Sequence, residues 1–576
     1  MTTTVEKVPA VSSPSVGLVE KINFRFVFIG AMGLLTVLVM ALIIYPVMQT
    51  LVNTFIVDGK PTIAPFSSLA GARGLRTIIE NTVIFTLGTL LLASVMGIFL
   101  AWANERTDAR MDSLVGVLPI LPLMVPPIGS ALGYVILFSS KAGIGNIFLR
   151  YLFGIEADVG PVQISNFYGL IVLASLSLAP VVYLIVSAAL RNIDPALDEA
   201  SRVFGASPLR TMLRVTLPVV APALASAALL VGIHAMSSFT FPFIIGTGAG
   251  ITTAAVYIYR LFSVYPPNPS AAVALSLCML AVVYAALVLQ MRITRSLKRS
   301  VIGGKRSQAS VVRLGPWKWI VRALMLAYLI AVVLPVIGLI VGSLQPFLGA
   351  GPSQFTLNNF ANVLSNPETR HALINSFTLA AAAATITMIV AALLIYTSTR
   401  IVKRGGNILE FSLMTPSVIP HIVLAVAFII AFSGPPFNLY GTRTLVLMAY
   451  CVMFIPEASR AAASAISQAS EELSEASHVS GAGLLRTVRK VVLPQVLNGL
   501  LAGWVIVFFL SVNEVTASSF LGGLNSAVVG HVAIDYFANG RLSEVAAMTL
   551  IVTLATAIVV LGTSGGIRRA YTSSSR

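Results

Sequence analysis

Twelve stretches of about 20 apolar residues recur along this 576-residue chain, each the length a helix needs to cross roughly 30 Å of bilayer hydrocarbon. They fall at 26–52, 77–103, 114–139, 167–190, 218–245 and 270–291, then at 319–345, 373–398, 409–433, 444–465, 494–522 and 543–564. With 57% hydrophobic residues, 10% charged residues and a mean hydropathy of +0.91, the chain lies outside the soluble globular class. The expected fold class is an all-α integral membrane protein with about 12 transmembrane helices. The apolar run from Phe26 is longer than the roughly 7–15-residue core of a signal peptide, so the first span is expected to be retained.

The chain repeats itself. Leu197 to Pro218 reads LDEASRVFGASPLRTMLRVTLP and returns 276 positions later as LSEASHVSGAGLLRTVRKVVLP, Leu473 to Pro494, with 13 of 22 positions identical. At an offset of 294, Asn81-Thr82 aligns with Asn375-Ser376 and Val125-Pro126 with Ile419-Pro420. A longer loop after the third span of the first half accounts for the change of offset. Six spans per half is an even number, so both copies enter the membrane in the same direction as two parallel six-helix repeats, with a pathway expected between them.

Lysine and arginine distribution sets the topology. If both termini face the cytoplasm, only nine of the 37 Lys and Arg lie on the opposite side. The densest basic cluster, Arg292 to Arg322, joins the halves and reads as an anchor near anionic lipid rather than a nucleic-acid site. The resulting divisions are a cytoplasmic tail 1–25, a first repeat 26–291 with its loop at 191–218, and a basic linker 292–318. A second repeat 319–565 with its loop at 466–494 and a tail 566–576 complete the chain. Each repeated loop then lies on the cytoplasmic side.

The loops have helix punctuation. Asp194-Pro195 supplies an N-cap acceptor and a ring fixed at helical φ, and Ser470 followed by Glu471 and Glu472 does the same work in the second copy. Gly205 and Gly481 end the short helices. Leu197, Ala200 and Val203 share one face, as do Leu473, Ala476 and Val479. Ser207-Pro208 looks like a second helix start, and Leu217-Pro218 or Leu493-Pro494 is expected to open the next span.

On these residues the chain resembles the permease subunits of binding-protein-dependent ABC importers, whose cytoplasmic signature is EAA, three residues, G, nine residues, I-x-LP. Glu199, Ala200, Ser201, Gly205, Leu217 and Pro218 match it once, and Glu475, Ala476, Ser477, Gly481, Leu493 and Pro494 match it again. Ser replaces the second Ala in both copies, and Val215 and Val491 replace the Ile. The resemblance implies a type I importer permease in which each unit is a coupling helix seated on one of two copies of a cytoplasmic ABC ATPase subunit. A periplasmic solute-binding protein is the third implied partner. The fused two-repeat form is most similar to the ferric-iron group, with 2-aminoethylphosphonate, polyamine and thiamine permeases as alternatives. Bacterial inner-membrane localisation and import follow from the same resemblance.

The chain itself shows no enzyme site. Gly303-Gly304-Lys305-Arg306-Ser307 is too compact for a phosphate-binding loop, so ATP and Mg belong to the partner and no cofactor is expected in this chain. The five histidines are scattered without metal-ligand spacing, and Cys278 and Cys451 are expected as buried small side chains. Glu514 reads as the one acidic residue well inside a span, in a hydrogen-bonding role or at the pathway mouth. Pro126, Pro127, Pro416 and Pro420 are expected to kink or break the third spans beside the pathway. The alternative of another class is a major-facilitator-like secondary transporter, which the loop ANERTDARMD does not favour because it lacks that family's Gly-x-x-x-Asp-Arg-x-Gly pattern.

Overall fold

In a computed structural model of the chain, the described residues are 16–57, 59–111, 125–193, 195–297, 311–350, 354–402, 406–523 and 526–574. Residues 114–124 of the expected third span, the expected cap Asp194 and the segment Gly303–Ser307 lie outside them. Among the described residues, ten helices are long and apolar enough to cross a membrane, and two bent helix pairs bring the number to as many as 12.

The first half contains α1 (Val16–Phe55), α2 (Leu75–Arg106), the short α3 (Pro127–Phe138), α4 (Phe167–Arg191) and the loop helix α5 (Pro195–Val203). It continues with α6 (Leu217–Ser237), the short α7 (Ala254–Ser263) and α8 (Pro269–Leu297). The second half repeats the order: α9 (Trp317–Leu344), α10 (Pro367–Tyr396), α11 (His421–Phe432), α12 (Arg443–Ser467) and α13 (Glu471–Val479). It ends with α14 (Leu493–Val512), α15 (Val529–Ala538) and α16 (Leu542–Ser574). Helices α3 and α11 are offset by 294 residues at both ends, and α7 and α15 by 275 at both ends.

Three expected spans are not straight. The stretch 409–433 bends by 102° where Pro420 precedes α11, because Pro420 is extended (φ −54°, ψ 134°) and cannot donate a backbone hydrogen bond to the preceding turn. Pro126 holds the same geometry before α3 (φ −52°, ψ 139°). Pro127 and Pro416 lie in the first turns of helical segments, where the missing N–H costs nothing, and the break in 409–433 falls at Pro420. The stretches 218–245 and 494–522 stop at Ser237 and Val512 and continue as short segments that turn back. One such segment, Pro242–Ala249, meets α7 at 88°.

Each half has a compact bundle in which its second, fourth and fifth spans touch pairwise: α2, α4 and α6, then α10, α12 and α14. Small residues allow this approach, since a Cβ on Gly97 of α2 would lie 2.5 Å from Val182 Cβ of α4. The halves are joined by exchange. Helix α1 packs on α11 of the second half, and α9 packs on α3 of the first. The α3–α9 contact is backbone to backbone: a Cβ on Gly133 would stand 2.1 Å from the Pro335 carbonyl oxygen, and one on Gly338 would stand 2.2 Å from that of Gly133.

The outer faces carry exposed apolar side chains, among them Leu38, Leu91, Ile389 and Ile558, as expected of surfaces against lipid. Several hydroxyls within the spans are satisfied locally, with Thr50, Thr378 and Thr387 donating to the carbonyl four residues earlier. Cys278, expected to be buried, is exposed on α8, while Cys451 is partly buried on α12. Cys278 falls on the outward face, where burial by protein is not required for a small apolar side chain.

Gly133→Leu is expected to destabilise the joined halves by at least about 1–3 kcal/mol through overpacking, lowering the thermal midpoint of the purified protein. Gly30→Leu serves as the control, because a Cβ at Gly30 would meet nothing within 4 Å. Equal midpoints for the two variants would show that the α3–α9 contact is dispensable.

Candidate coupling loops

The two repeated loops fold alike. Helix α5 is followed by Gly205 at φ +76°, and α13 by Gly481 at φ +84°. A Cβ at either glycine would meet nothing within 4 Å. The left-handed backbone therefore requires glycine there, and space does not. Ser470 caps α13 by accepting from Leu473 N at 3.2 Å. The backbone of α5 includes Glu199, whose side chain lies outside the described residues; Glu475 is exposed.

The serine that departs from the signature has a structural role. Ser201 Oγ lies 2.9 Å from Thr211 Oγ1, and Ser477 Oγ lies 3.0 Å from Thr487 Oγ1. An alanine at that position could not tie the short helix to the one that follows. The next helix begins at Pro208 in the first copy and at Leu484 in the second. The helical run therefore begins before Leu217-Pro218 and Leu493-Pro494, and within it the regular helices α6 and α14 open at these pairs as expected. A widened π turn precedes each pair, Met212–Thr216 and Val488–Val492, and accommodates the proline that cannot donate to the preceding turn.

The expected common face is exposed: Leu197, Ala200 and Val203 on α5, with Leu473, Ala476 and Val479 on α13. Val203 and Val479 are 85% and 89% exposed, and Phe204 is 90% exposed. Apolar side chains this open at the tip of a polar loop mark a contact surface.

An arginine pair that the sequence reading missed fastens the end of each fourth span, from which the loop departs. Arg106 ends α2 and donates to the Leu190 carbonyl at 2.7 Å. Arg400, 294 positions later, donates to the Ile466 and Ala469 carbonyls at 3.3 and 2.9 Å. Both fill the C-terminal end of the fourth span, where carbonyls lack helical partners. Arg400 also pairs with Glu471 of α13 at 3.1 Å. The offset shared with Asn81 and Asn375 was the signal that could have found them.

That asparagine alignment also has a cause. Asn81 Nδ2 donates to Thr252 O (3.2 Å), and Thr82 Oγ1 accepts from Ala254 N (2.8 Å). In the second half Asn375 Nδ2 donates to Ala527 O (2.9 Å), and Ser376 Oγ accepts from Val529 N (2.8 Å). Each pair fastens the start of a returning helix, α7 or α15, to the second span. Glu514 lies in the break after α14, not within a helical span, and its carboxylate accepts from Ala517 N (2.7 Å) and Ser518 N (2.9 Å). It caps the short helix Thr516–Leu521. Glu457 in α12 is a second acidic residue within the expected spans, so Glu514 is not the one such group. Pro126 lines a small cavity with Asn513, Val529 and Thr549 of the other half.

The family of binding-protein-dependent transport system inner membrane components matches residues 93–299 and 388–568, one copy in each half. The chain belongs to this family. It is an ABC importer permease subunit with two fused repeats in one multi-span membrane chain, which replaces the secondary-transporter alternative. The ferric transport system permease protein FbpB of Actinobacillus pleuropneumoniae is 26% identical over 501 residues, covering 86% of this chain and 71% of that one. A putative ferric transport system permease protein of Haemophilus influenzae is 26% identical over 499 residues, covering 86% and 78%. A solved bacterial ABC transporter for the acidic polysaccharide alginate has a chain 21% identical, with a TM-score of 0.40, covering 50% of this chain and 99% of that chain.

In this permease the charged tie at Arg400 is the contact whose loss should loosen the second loop. Hydrogen bonds to charged groups contribute about 1.5–3 kcal/mol, so Arg400→Gln is expected to speed amide exchange across 469–480 by roughly ten- to hundred-fold. Unchanged protection there would show that α13 is held by other contacts.

Proposed function

We propose that this permease carries ferric iron, delivered by a periplasmic solute-binding protein, across the bacterial inner membrane. The single observation that carries the mechanism is the duplicated loop with its exposed apolar tip at Val203, Phe204 and Val479. Two copies of a cytoplasmic ABC ATPase subunit would cover these tips, one on α5 and one on α13. ATP and Mg act on those partners, and this chain needs no cofactor of its own. Both termini then face the cytoplasm, in agreement with the lysine and arginine distribution.

Glu199, Ala200, Ser201 and Gly205 form the first coupling unit with Leu217 and Pro218. Glu475, Ala476, Ser477 and Gly481 form the second with Leu493 and Pro494. Closure of the ATPase pair draws the two short helices together. Because Ser201 and Ser477 tie each loop helix to the helix that follows, and Arg400 ties α13 to the second-half bundle, the displacement would pass to the halves as rigid bodies and open the pathway to one side at a time. Pro126 and Pro420 start short helices at the junction of the halves, next to that movement. Glu514 keeps the returning segment of the second half in shape.

The ferric assignment is supported by the relatives named for ferric transport that align over most of this chain. Its test is ATP hydrolysis and uptake in liposomes holding the permease and its ATPase. The binding protein is supplied in turn with ferric iron, 2-aminoethylphosphonate, putrescine or thiamine. Stimulation by the ferric form alone is the expected result, and stimulation by another solute would reassign the cargo.

Gly205→Val and Gly481→Val force a β-branched residue into left-handed backbone, at a cost of about 1–2 kcal/mol or more. Both variants are expected to insert normally and to lose solute-stimulated uptake by roughly tenfold or more. Uptake at the wild-type rate by both would remove the coupling role from these loops.

A further inference from the structure

The two repeated loops share one backbone but differ in what they expose at the tip. Phe204 N donates to the Ala200 carbonyl at 3.2 Å, and Ala206 N to that of Ser201 at 3.1 Å. In the second copy Ser480 N donates to the Ala476 carbonyl at 2.9 Å, and Ala482 N to that of Ser477 at 3.0 Å. The serine-threonine contact and the left-handed glycine recur in the same places. Phe204 and Ser480 therefore occupy one position, the last before the glycine that ends each loop helix.

Their side chains are unlike. Phe204 is almost fully exposed beside the equally open Val203. Ser480 is exposed too, but its Oγ donates back to the Ala476 carbonyl at 2.9 Å, within its own helix. It offers neither apolar area nor a spare hydroxyl proton, so Val479 is the apolar part of the second tip. Everything that shapes the tips is duplicated, and the phenyl ring is not.

A phenyl ring held in water gains from burial, and aromatic anchors seated in a pocket carry a large share of the binding energy of protein interfaces. The bilayer is a poor occupant for this ring. Asp198 and Glu199 outnumber Arg202 on α5, and the anionic lipid of a cytoplasmic leaflet repels a net negative helix. The coupling reading supplies the better occupant, an ATPase subunit on each loop with an apolar pocket for the tip. Two copies of one subunit present the same pocket to Phe204 on one side and to Ser480 on the other.

We propose that the permease holds its two ATPase subunits unequally, with Phe204 seating the one on α5 at least about tenfold more tightly than Val479 and Ser480 hold the one on α13. This rests on the coupling reading of the loops and deepens it. The partner surface required is an apolar pocket that takes a phenyl ring and tolerates a serine. Assembly is then ordered, because the subunit on α5 binds first and leaves last.

The test is titration of the full chain in nanodiscs with its ATPase, without nucleotide, so that ATP-driven pairing of the ATPase subunits does not contribute. Native mass spectrometry counts permeases that carry none, one or two subunits. Wild type is expected to fill in two steps whose dissociation constants differ at least tenfold beyond the statistical factor for two equal sites. Phe204→Ser should weaken the tight step to the level of the weak one, and Ser480→Phe should strengthen the weak step to the level of the tight one. The second variant gains binding, which misfolding does not produce. Equal steps in wild type, or a tight step that survives Phe204→Ser, overturns the proposal while leaving the importer standing. A wild-type chain that binds no ATPase at all overturns both readings.

Discussion

The two halves depend on a pair of short helices that begin inside the membrane. Helices α3 and α11 each start after an extended proline, Pro126 or Pro420, and each is grasped by the first span of the opposite half. The α3–α9 contact is close enough that neither Gly133 nor Gly338 could carry a side chain without displacing backbone. Dispersion contacts and close backbone approach supply such cohesion in lipid, where the hydrophobic effect gives no advantage to helix on helix over helix on lipid. Exchange of α1 and α9 makes each half incomplete alone.

Around that junction, polar contacts are used sparingly and in duplicate. The same three ties recur in each half: an arginine from the second span to the end of the fourth, a serine from the loop helix to the next helix, and an Asn-Thr or Asn-Ser pair to the returning segment. Every one joins elements of a single half. The duplication stops at α12, where Glu457 and Arg460 replace the apolar residues of α4.

Much of this was legible in the sequence because it rests on local or periodic signals. Apolar stretches of sufficient length become helices in a membrane whatever their neighbours, and Gly205 and Gly481 announce a left-handed turn at the residue itself. The repeated loop could be read because identity at a fixed offset needs no structure. Arg106 and Arg400 were missed because an arginine at the end of a span looks like an ordinary topology signal until the carbonyls it fills are seen. Glu457 was missed within a mostly apolar stretch, and Glu514 was placed in a span because hydropathy does not show where a helix stops.

The sequence by itself determined the class, the two repeats and the duplicated loops, which follow from periodicity, composition and residue spacing along the chain, and the loop motif carried the resemblance to the family. Tertiary structure alone decided which half holds each first span, where the third spans break, and which polar groups meet. Those outcomes depend on contacts between residues far apart in the chain, such as Gly133 with Pro335, where close packing selects one partner among many helices of similar hydropathy.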